Sequence, residues 1–464
     1  MEQELLPLLA DTQSPVADTR ASAELQLLRL YPNESFPLSL AAIASHDSVP
    51  IHLRQSALSV LRNFIVSSWS PLLDEFRGQI LINDANKAQI RRVLLELCTT
   101  ADIPERKVKS SASYAVSKIA SADFPDQWPE LLPSLLQVIN DPASSAGAVH
   151  GALKVLHDLV DTGFNEDQFF KVARDLVSTL FRVATSEARR PMLRALAVSV
   201  FRSCFDTLEM VLEQHKTAVK EFMDEVLTGW SPFFTSTIKL SLPQAPTDEE
   251  ESKETPVASQ WRGIIALKLQ VVKTLMKIRM VFPGLLTAQS PVYFTAIWAE
   301  LSNSQSLYSE FYINDDRQGR LEDVDGLPYT LDFLVLEEID LLQALLKAPP
   351  VKAELQQQLQ NAGQGATWLL QIIQLASTYA QMTAEEEGLW DIDVSLFLSE
   401  ETSVTANYTP RTCSGDLVVK LGEWLKTTAI ENLLTYMNTA FADTSSTLVV
   451  SFLCHPSCNI RHFS

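Results

Sequence analysis

Residues 108–131 read VKSSASYAVSKIASADFPDQWPEL. Within that run Ala112, Val116 and Ile119 place a small residue and two apolar ones four and seven positions on, one face of a helix with 3.6 residues per turn. The pattern breaks at Pro125 and resumes at Trp128 and Pro129. Proline is tolerated in the first turn of a helix, where its missing amide hydrogen would have no partner. The stretch therefore reads as one amphipathic helix, a short turn, and a second helix opened by Trp128 with Pro129 in its first turn. The Trp128 ring is expected to pin that helix over the turn before it.

Outward from this stretch the same spacing recurs at Ala23, Leu27, Leu30; Ala57, Leu61, Phe64; Ala152, Leu156, Leu159; and Ala197, Phe201, Cys204. Neighbouring alanines of the series lie 34, 55, 40 and 45 residues apart. That pitch brackets the ~40–47 residues of paired-helix repeats of the HEAT and armadillo type. Segments with matching apolar faces lie between them, at Phe36–Ala44, Gln89–Leu97, Trp128–Ile139 and Phe169–Ala184. Pro50, Pro104, Asp141-Pro142 and Gly163 punctuate the turns. The expected fold is all-α: a HEAT-repeat α-solenoid, a right-handed superhelix of antiparallel helix pairs. Each pair is an outer helix, a turn and an inner helix whose alanine lets its neighbours approach closely.

Composition agrees. With only 14 Gly in 464 residues there is little material for tight hairpins or phosphate-cradling loops. Fifty-seven acids against 37 bases give a net charge of −20, which disfavours direct nucleic-acid binding and favours a basic protein partner. The excess is uneven: −6 before residue 240 and −14 after it. Three acidic stretches carry it, at 241–259, 314–326 and 385–407, each read as a loop between helices. Met1 to Asp11 has no basic leader region and no window reaches the ~18 apolar residues of a membrane span, so a soluble intracellular chain without membrane insertion is expected. Three segments follow: 1–140, first repeats; 141–443, further repeats with acidic loops; and 444–464, a tail outside the repeat pattern.

Chemistry is sparse. His150 and His157 share a helix face without a third ligand, and the tail residues Cys454, His455, Cys458 and His462 have a spacing that matches no common zinc site. No Gly-rich phosphate loop, Gly-x-Ser-x-Gly elbow or His-Glu-x-x-His helix is present, and no general acid and base can be paired. The reading is a chain that is not an enzyme and takes no cofactor or metal, its five cysteines being reduced and mostly buried.

Specific residues carry a family resemblance. Arg20, Ala23, Glu24 and Leu27, then Phe36, Leu40 and Ile43, then Arg54, Ala57, Leu61, Asn63 and Trp69, followed by the whole 108–131 run, resemble the N-terminal repeats of the importin-β (karyopherin-β) family. Ala148 to Ala152 and the later order Glu385 to Glu387, Trp390, Phe397, Glu400, Glu401, Tyr408, Arg411, Asp416 and Leu417 resemble its importin-9 branch. The resemblance implies the N-terminal half of a nuclear import receptor that shuttles between cytoplasm and nucleus. Such receptors bind Ran-GTP through N-terminal repeats, phenylalanine-glycine nucleoporins between outer helices, and basic cargo on an acidic concave surface. For this branch the implied cargoes are core histones and, in fungi, the TATA-box-binding protein.

On that reading the Ran candidates are Arg20, Glu24, Arg54, Asn63, Lys109 and Tyr114, polar residues on or beside the first inner helices. The cargo-attracting candidates are Asp248, Glu249, Glu250, Glu251, Asp315, Asp316, Glu322, Asp323 and Asp325. The alternative is a HEAT-repeat scaffold that binds proteins on its concave face without Ran.

Overall fold

The computed structural model describes residues 1–99, 106–162, 166–361, 367–402 and 408–442. Pro104, Gly163, residues 403–407 and the tail 444–464, with Cys454, His455, Cys458 and His462, lie outside the described residues. The described chain is helical, its only β-type pairing being the isolated bridge between Glu322 and Pro328. It divides into two compact units, Met1–Leu227 with Val324–Leu327, and Thr228–Asp323 with Pro328–Ser464. Residue 140 lies in the first of these.

Unit 1 contains α1 (Glu2–Asp11), α2 (Ala17–Leu30), α3 (Phe36–Ser45), α4 (Ile51–Ser68), α5 (Asp84–Thr99) and α6 (Arg106–Asp123). It continues with α7 (Leu131–Asn140), α8 (Ala146–Thr162), α9 (Glu166–Thr185), α10 (Pro191–Val211) and the first half of α11 (Lys216–Ile238). Helices α4, α6, α8 and α10 pack in succession, while α3 packs on α5 and α7 on α9, giving two layers. The repeat alanines sit at the contacts: Ala57, Ala112, Ala152 and Ala197 are wholly buried. At one contact even alanine is too large. A Cβ on Gly151 of α8 would lie 1.7 Å from the carbonyl oxygen of Cys98 in α5, so glycine permits this approach of two backbones.

The second helix of the opening stretch begins later than its sequence suggests. Helix α7 starts at Leu131, and Trp128 and Pro129 lie in the preceding turn. Competing bonds hold them there: the amides of Gln127 and Trp128 both donate to the carbonyl of Asp123, at 2.7 and 2.9 Å, closing the end of α6. Trp128 is still buried, beneath the Arg91 guanidinium 5.7 Å from its ring. Arg91 and the Trp69 indole both donate to Asp123, the latter at 2.7 Å, so α4, α5 and α6 are joined by one buried polar cluster.

Unit 2 holds α12 (Asp248–Ser252), α13 (Pro256–Val281), α14 (Ser290–Tyr308) with a π-turn at Ser309–Ile313, α15 (Leu331–Leu346) and α16 (Pro349–Asn361). Then come α17 (Trp368–Tyr379), α18 (Ala384–Ile392), α19 (Val394–Thr402), α20 (Pro410–Leu425) and α21 (Thr427–Ala442). Helices α13, α15 and α20 form one layer; α14, α17 and α21 pack on them and on one another in chain order. Threonine caps five of these helices: Thr247, Thr255, Thr367, Thr383 and Thr409 each accept the amide hydrogen of the third helical residue. Two of the three stretches read as loops are thereby partly helical. Stretch 241–259 contains α12 and the start of α13, and 385–407 contains most of α18 and all of α19. The reason is the capping box: Glu250 and Glu386, counted above as loop acids, return to the amides of Thr247 and Thr383 at 2.9 Å each.

Candidate functional site

Three surfaces collect the polar and aromatic groups that a binding protein could use, the first in unit 1 and the others in unit 2. On unit 1, Arg20 and Glu24 of α2, Asn63 of α4 and Tyr114 of α6 are exposed. Tyr114 is flanked by two cations. The Arg62 guanidinium lies 4.4 Å from its ring centre and the Lys118 ammonium 5.7 Å, within cation–π range. Neither cation stood out in the sequence, although Lys118 is one helical turn from Tyr114.

Arg54 and Lys109 are not on that surface. Arg54 is fully buried, donating from Nε to the carbonyl of Ala44 at 2.7 Å and pairing with Asp47 at 3.3 Å. It closes the C-terminal end of α3, where carbonyls lack helical partners and a cation suits the dipole. Arg194 repeats the device, its Nε donating to the carbonyl of Ala184 in α9 at 2.7 Å, again ten residues back. Lys109 is only 4% exposed and acts on the buried Cys98 thiol, whose pKa burial pushes up. Of the six candidates, Arg20, Glu24, Asn63 and Tyr114 are thus exposed and Arg54 and Lys109 buried, with Arg62 and Lys118 beside Tyr114.

The second surface is a cleft of about 650 Å³ in unit 2, between the π-turn, the 315–320 segment and α18. Tyr308, Tyr312 and Asp332 line it together with Asp315, Asp316 and Glu385. Burial raises the Asp332 carboxyl to about 6, against the lowering effect of Arg320, whose Nε lies 3.6 Å away. Its three arginines are committed inside the unit: Arg317 to Asp248 and Glu251, Arg320 to Asp332, and Arg411 to Glu386. Asp315, Asp316 and Glu385 have no cationic partner among the described residues and give the cleft an acidic rim.

The other acidic candidates are spoken for to different degrees. Asp248 and Glu251 share Arg317 at 3.1 and 3.6 Å, so the stretches 241–259 and 314–326, separate in sequence, meet through one guanidinium. Glu249 pairs with Lys253 at 2.5 Å and Glu250 is consumed by its capping box. Glu322 is exposed and Asp323 half-buried. Asp325 is turned inward: its side chain is 3% exposed and meets His150 Nε2 at 2.5 Å.

The third surface is a groove of about 190 Å³ between α14, α16 and α17. Phe294 and Trp298, one turn apart on α14 with ring centres 5.9 Å apart, form one wall. Leu355 and Trp368 form the other, the Trp368 indole being fixed by a 3.0 Å bond to the carbonyl of Leu355. The Phe294–Trp298 spacing was the groove's one visible signal; the facing residues come from more than fifty positions away. Among the described residues no group of three His, Cys, Asp or Glu could hold a metal, and no helix is long and apolar enough to cross a membrane.

Comparison with known proteins places these surfaces in context. Residues 23–100 match the importin-beta N-terminal domain, and residues 363–450 the central HEAT repeats of importin-9. Importin subunit beta-5 of Schizosaccharomyces pombe is 30% identical over 339 residues, 72% of this chain and 32% of that protein. Importin-9 of Drosophila melanogaster is 18% identical over 440 residues, 93% of this chain and 40% of that one. The chain thus spans 32% to 40% of the length of these relatives. The exportin Cse1 in its cargo-free, cytoplasmic state superposes with a TM-score of 0.65 at 16% identity, over 97% of this chain and 45% of Cse1. A Kap95p structure, in which binding induces the switch loops of RanGDP to adopt the GTP-bound conformation, gives 0.55 at 14% identity, over 95% and 43%. At such identities the two superpositions speak for the fold alone.

Proposed function

The chain belongs to the importin-β family, and from that premise we propose that it is the Ran-binding and cargo-binding N-terminal part of a nuclear transport receptor. The observation that carries the reading is the match of residues 23–100 to the importin-beta N-terminal domain, which runs from the middle of α2 through α5. In this reading Ran-GTP engages unit 1 at Arg20, Glu24, Asn63 and Tyr114, with Arg62 and Lys118 beside the tyrosine. Basic cargo, core histones first and the TATA-box-binding protein as a second class, is drawn to the acidic rim of unit 2. Phenylalanines of nucleoporin repeats occupy the α14–α16–α17 groove, where a ring can pack on Phe294, Trp298 and Trp368. The receptor shuttles between cytoplasm and nucleus. Release is linkage: if Ran-GTP lowers the affinity for cargo, cargo lowers the affinity for Ran-GTP by the same factor.

The cargo part is tested by reversing the three uncompensated rim charges, Asp315→Lys, Asp316→Lys and Glu385→Lys together, in the full chain. Core-histone binding is expected to weaken at low salt, with a difference that shrinks as added salt screens the rim. Unchanged affinity at low salt would remove the rim from the cargo surface.

A further inference from the structure

Unit 2 buries three ionisable side chains at one helix junction. Lys268 of α13 is wholly buried; its ammonium donates to Glu300 Oε1 of α14 at 2.6 Å and to the carbonyl of Ile238, the last residue of α11, at 2.8 Å. Glu338 of α15 is 1% exposed, and among the described residues neither of its carboxyl oxygens has a hydrogen-bond partner. An ionised carboxylate in such a place costs several kcal/mol unless a cation and hydrogen bonds compensate it. Among the described residues the facing ammonium is that of Lys268, and two of its three donors go to Glu300 and Ile238.

The groups that face Glu338 can be named element by element. Lys268 comes from α13 and Glu300 from α14. From α17 comes Tyr379, whose hydroxyl donates to the carbonyl of Leu301 at 2.6 Å. Helix α20 turns Cys413 and Lys420 to Gln343 instead, more than a turn further along α15. Burial above all, and then the charge of Glu300, holds the Glu338 carboxyl well above the usual carboxylate range, with Lys268 pulling the other way.

We propose that Lys268, Glu300 and Glu338 form a proton-dependent latch: unit 2 closes with Glu338 as a neutral acid, and loss of its proton to solvent loosens the α13–α14–α15 junction. The ionised form sets a second negative charge beside Glu300, with one ammonium for both. In the unfolded chain Glu338 ionises in the ordinary carboxylate range, so folding takes up a proton. The latch is tightest below that range and weakens as pH rises through the folded-state value. This inference concerns the stability of unit 2 and does not depend on what the chain binds.

Hydrogen exchange of the full chain between about pH 6 and about pH 8.5, corrected for intrinsic exchange, reads the latch directly. Opening of the α13 and α14 amides is expected to increase with pH in the wild type, by up to about tenfold per pH unit. The excess disappears in Glu338→Gln, which carries no titrating proton; the difference between the two proteins cancels every other titrating group. Glu300→Gln serves as an independent variant should glutamine at 338 impair folding. It removes the facing charge, lets Glu338 ionise against Lys268, and is expected to reduce the pH dependence as well. The same pH dependence in wild type and both variants overturns the latch, as does a folded Glu338→Gln protein that opens more readily than wild type at the alkaline end.

Discussion

At the scale of single residues, the fold turns on contacts that leave no room for an ordinary side chain. Gly151 is the clearest, because the carbonyl of Cys98 occupies the place of its missing Cβ. Gly151→Ala must push α8 away from α5, and denaturant unfolding is expected to show a loss of about 1–3 kcal/mol, the usual cost of overpacking. Asp332 makes the residue-scale case for pH. Its folded-state value of about 6 lies above the unfolded one of 3.8, so its contribution to stability is complete below the lower value and is lost as pH rises through the upper. Asp332→Asn should therefore gain on the wild type above about pH 6, by on the order of 3 kcal/mol if the whole difference is expressed, and thermal melts across that range measure it. Arg54 shows why such residues are hard to read in advance. A helix arginine is ordinarily a surface group. Only its 2.7 Å bond to the end of the preceding helix reveals a structural cap, and Arg194 shows that the cap recurs.

At the scale of helices, the small-then-apolar spacing was legible because packing in a two-layer array repeats it: the alanines at 57, 112, 152 and 197 fall at the buried contacts between successive helices. Helix starts were less legible. Trp128-Pro129 has the composition of a first turn, yet bonds to the Asp123 carbonyl keep it in the turn before α7. In 241–259 and 385–407, runs of acid read as loop, although Thr247 and Thr383 followed three residues later by Glu250 and Glu386 spell the capping boxes that make them helical. The aromatic groove was illegible for another reason: its walls belong to α14, α16 and α17, and no local pattern announces that they meet. Its role is tested at this scale. In a binding titration with a phenylalanine-glycine repeat peptide, Trp298→Ala is expected to weaken affinity by tenfold or so, as the loss of one aromatic anchor does. Undiminished affinity would place that contact elsewhere.

At the scale of the molecule, the net charge of −20 proves a poor guide until it is divided by partner. Arg317 neutralises part of the α12 acids, Glu249 and Glu250 are used locally, and Asp325 is buried against His150. Exposed acids remain in two of the stretches, Asp315, Asp316 and Glu322 in 314–326 and Glu385, Glu387, Asp391 and Asp393 in 385–407. The family resemblance was legible in the sequence because it rests on runs of residues that the array uses for packing, from Ala23 to the 108–131 stretch. Exposure was less legible: Arg54 and Arg62 both lie on α4, and spacing alone does not tell the buried arginine from the exposed one. In the proposed function unit 1 reads the nucleotide state of Ran. Titration of the full chain with Ran loaded with GTP or with GDP is expected to show clear preference for the GTP form, lost with Tyr114→Ala; equal affinity for both forms would refute a Ran-reading unit 1.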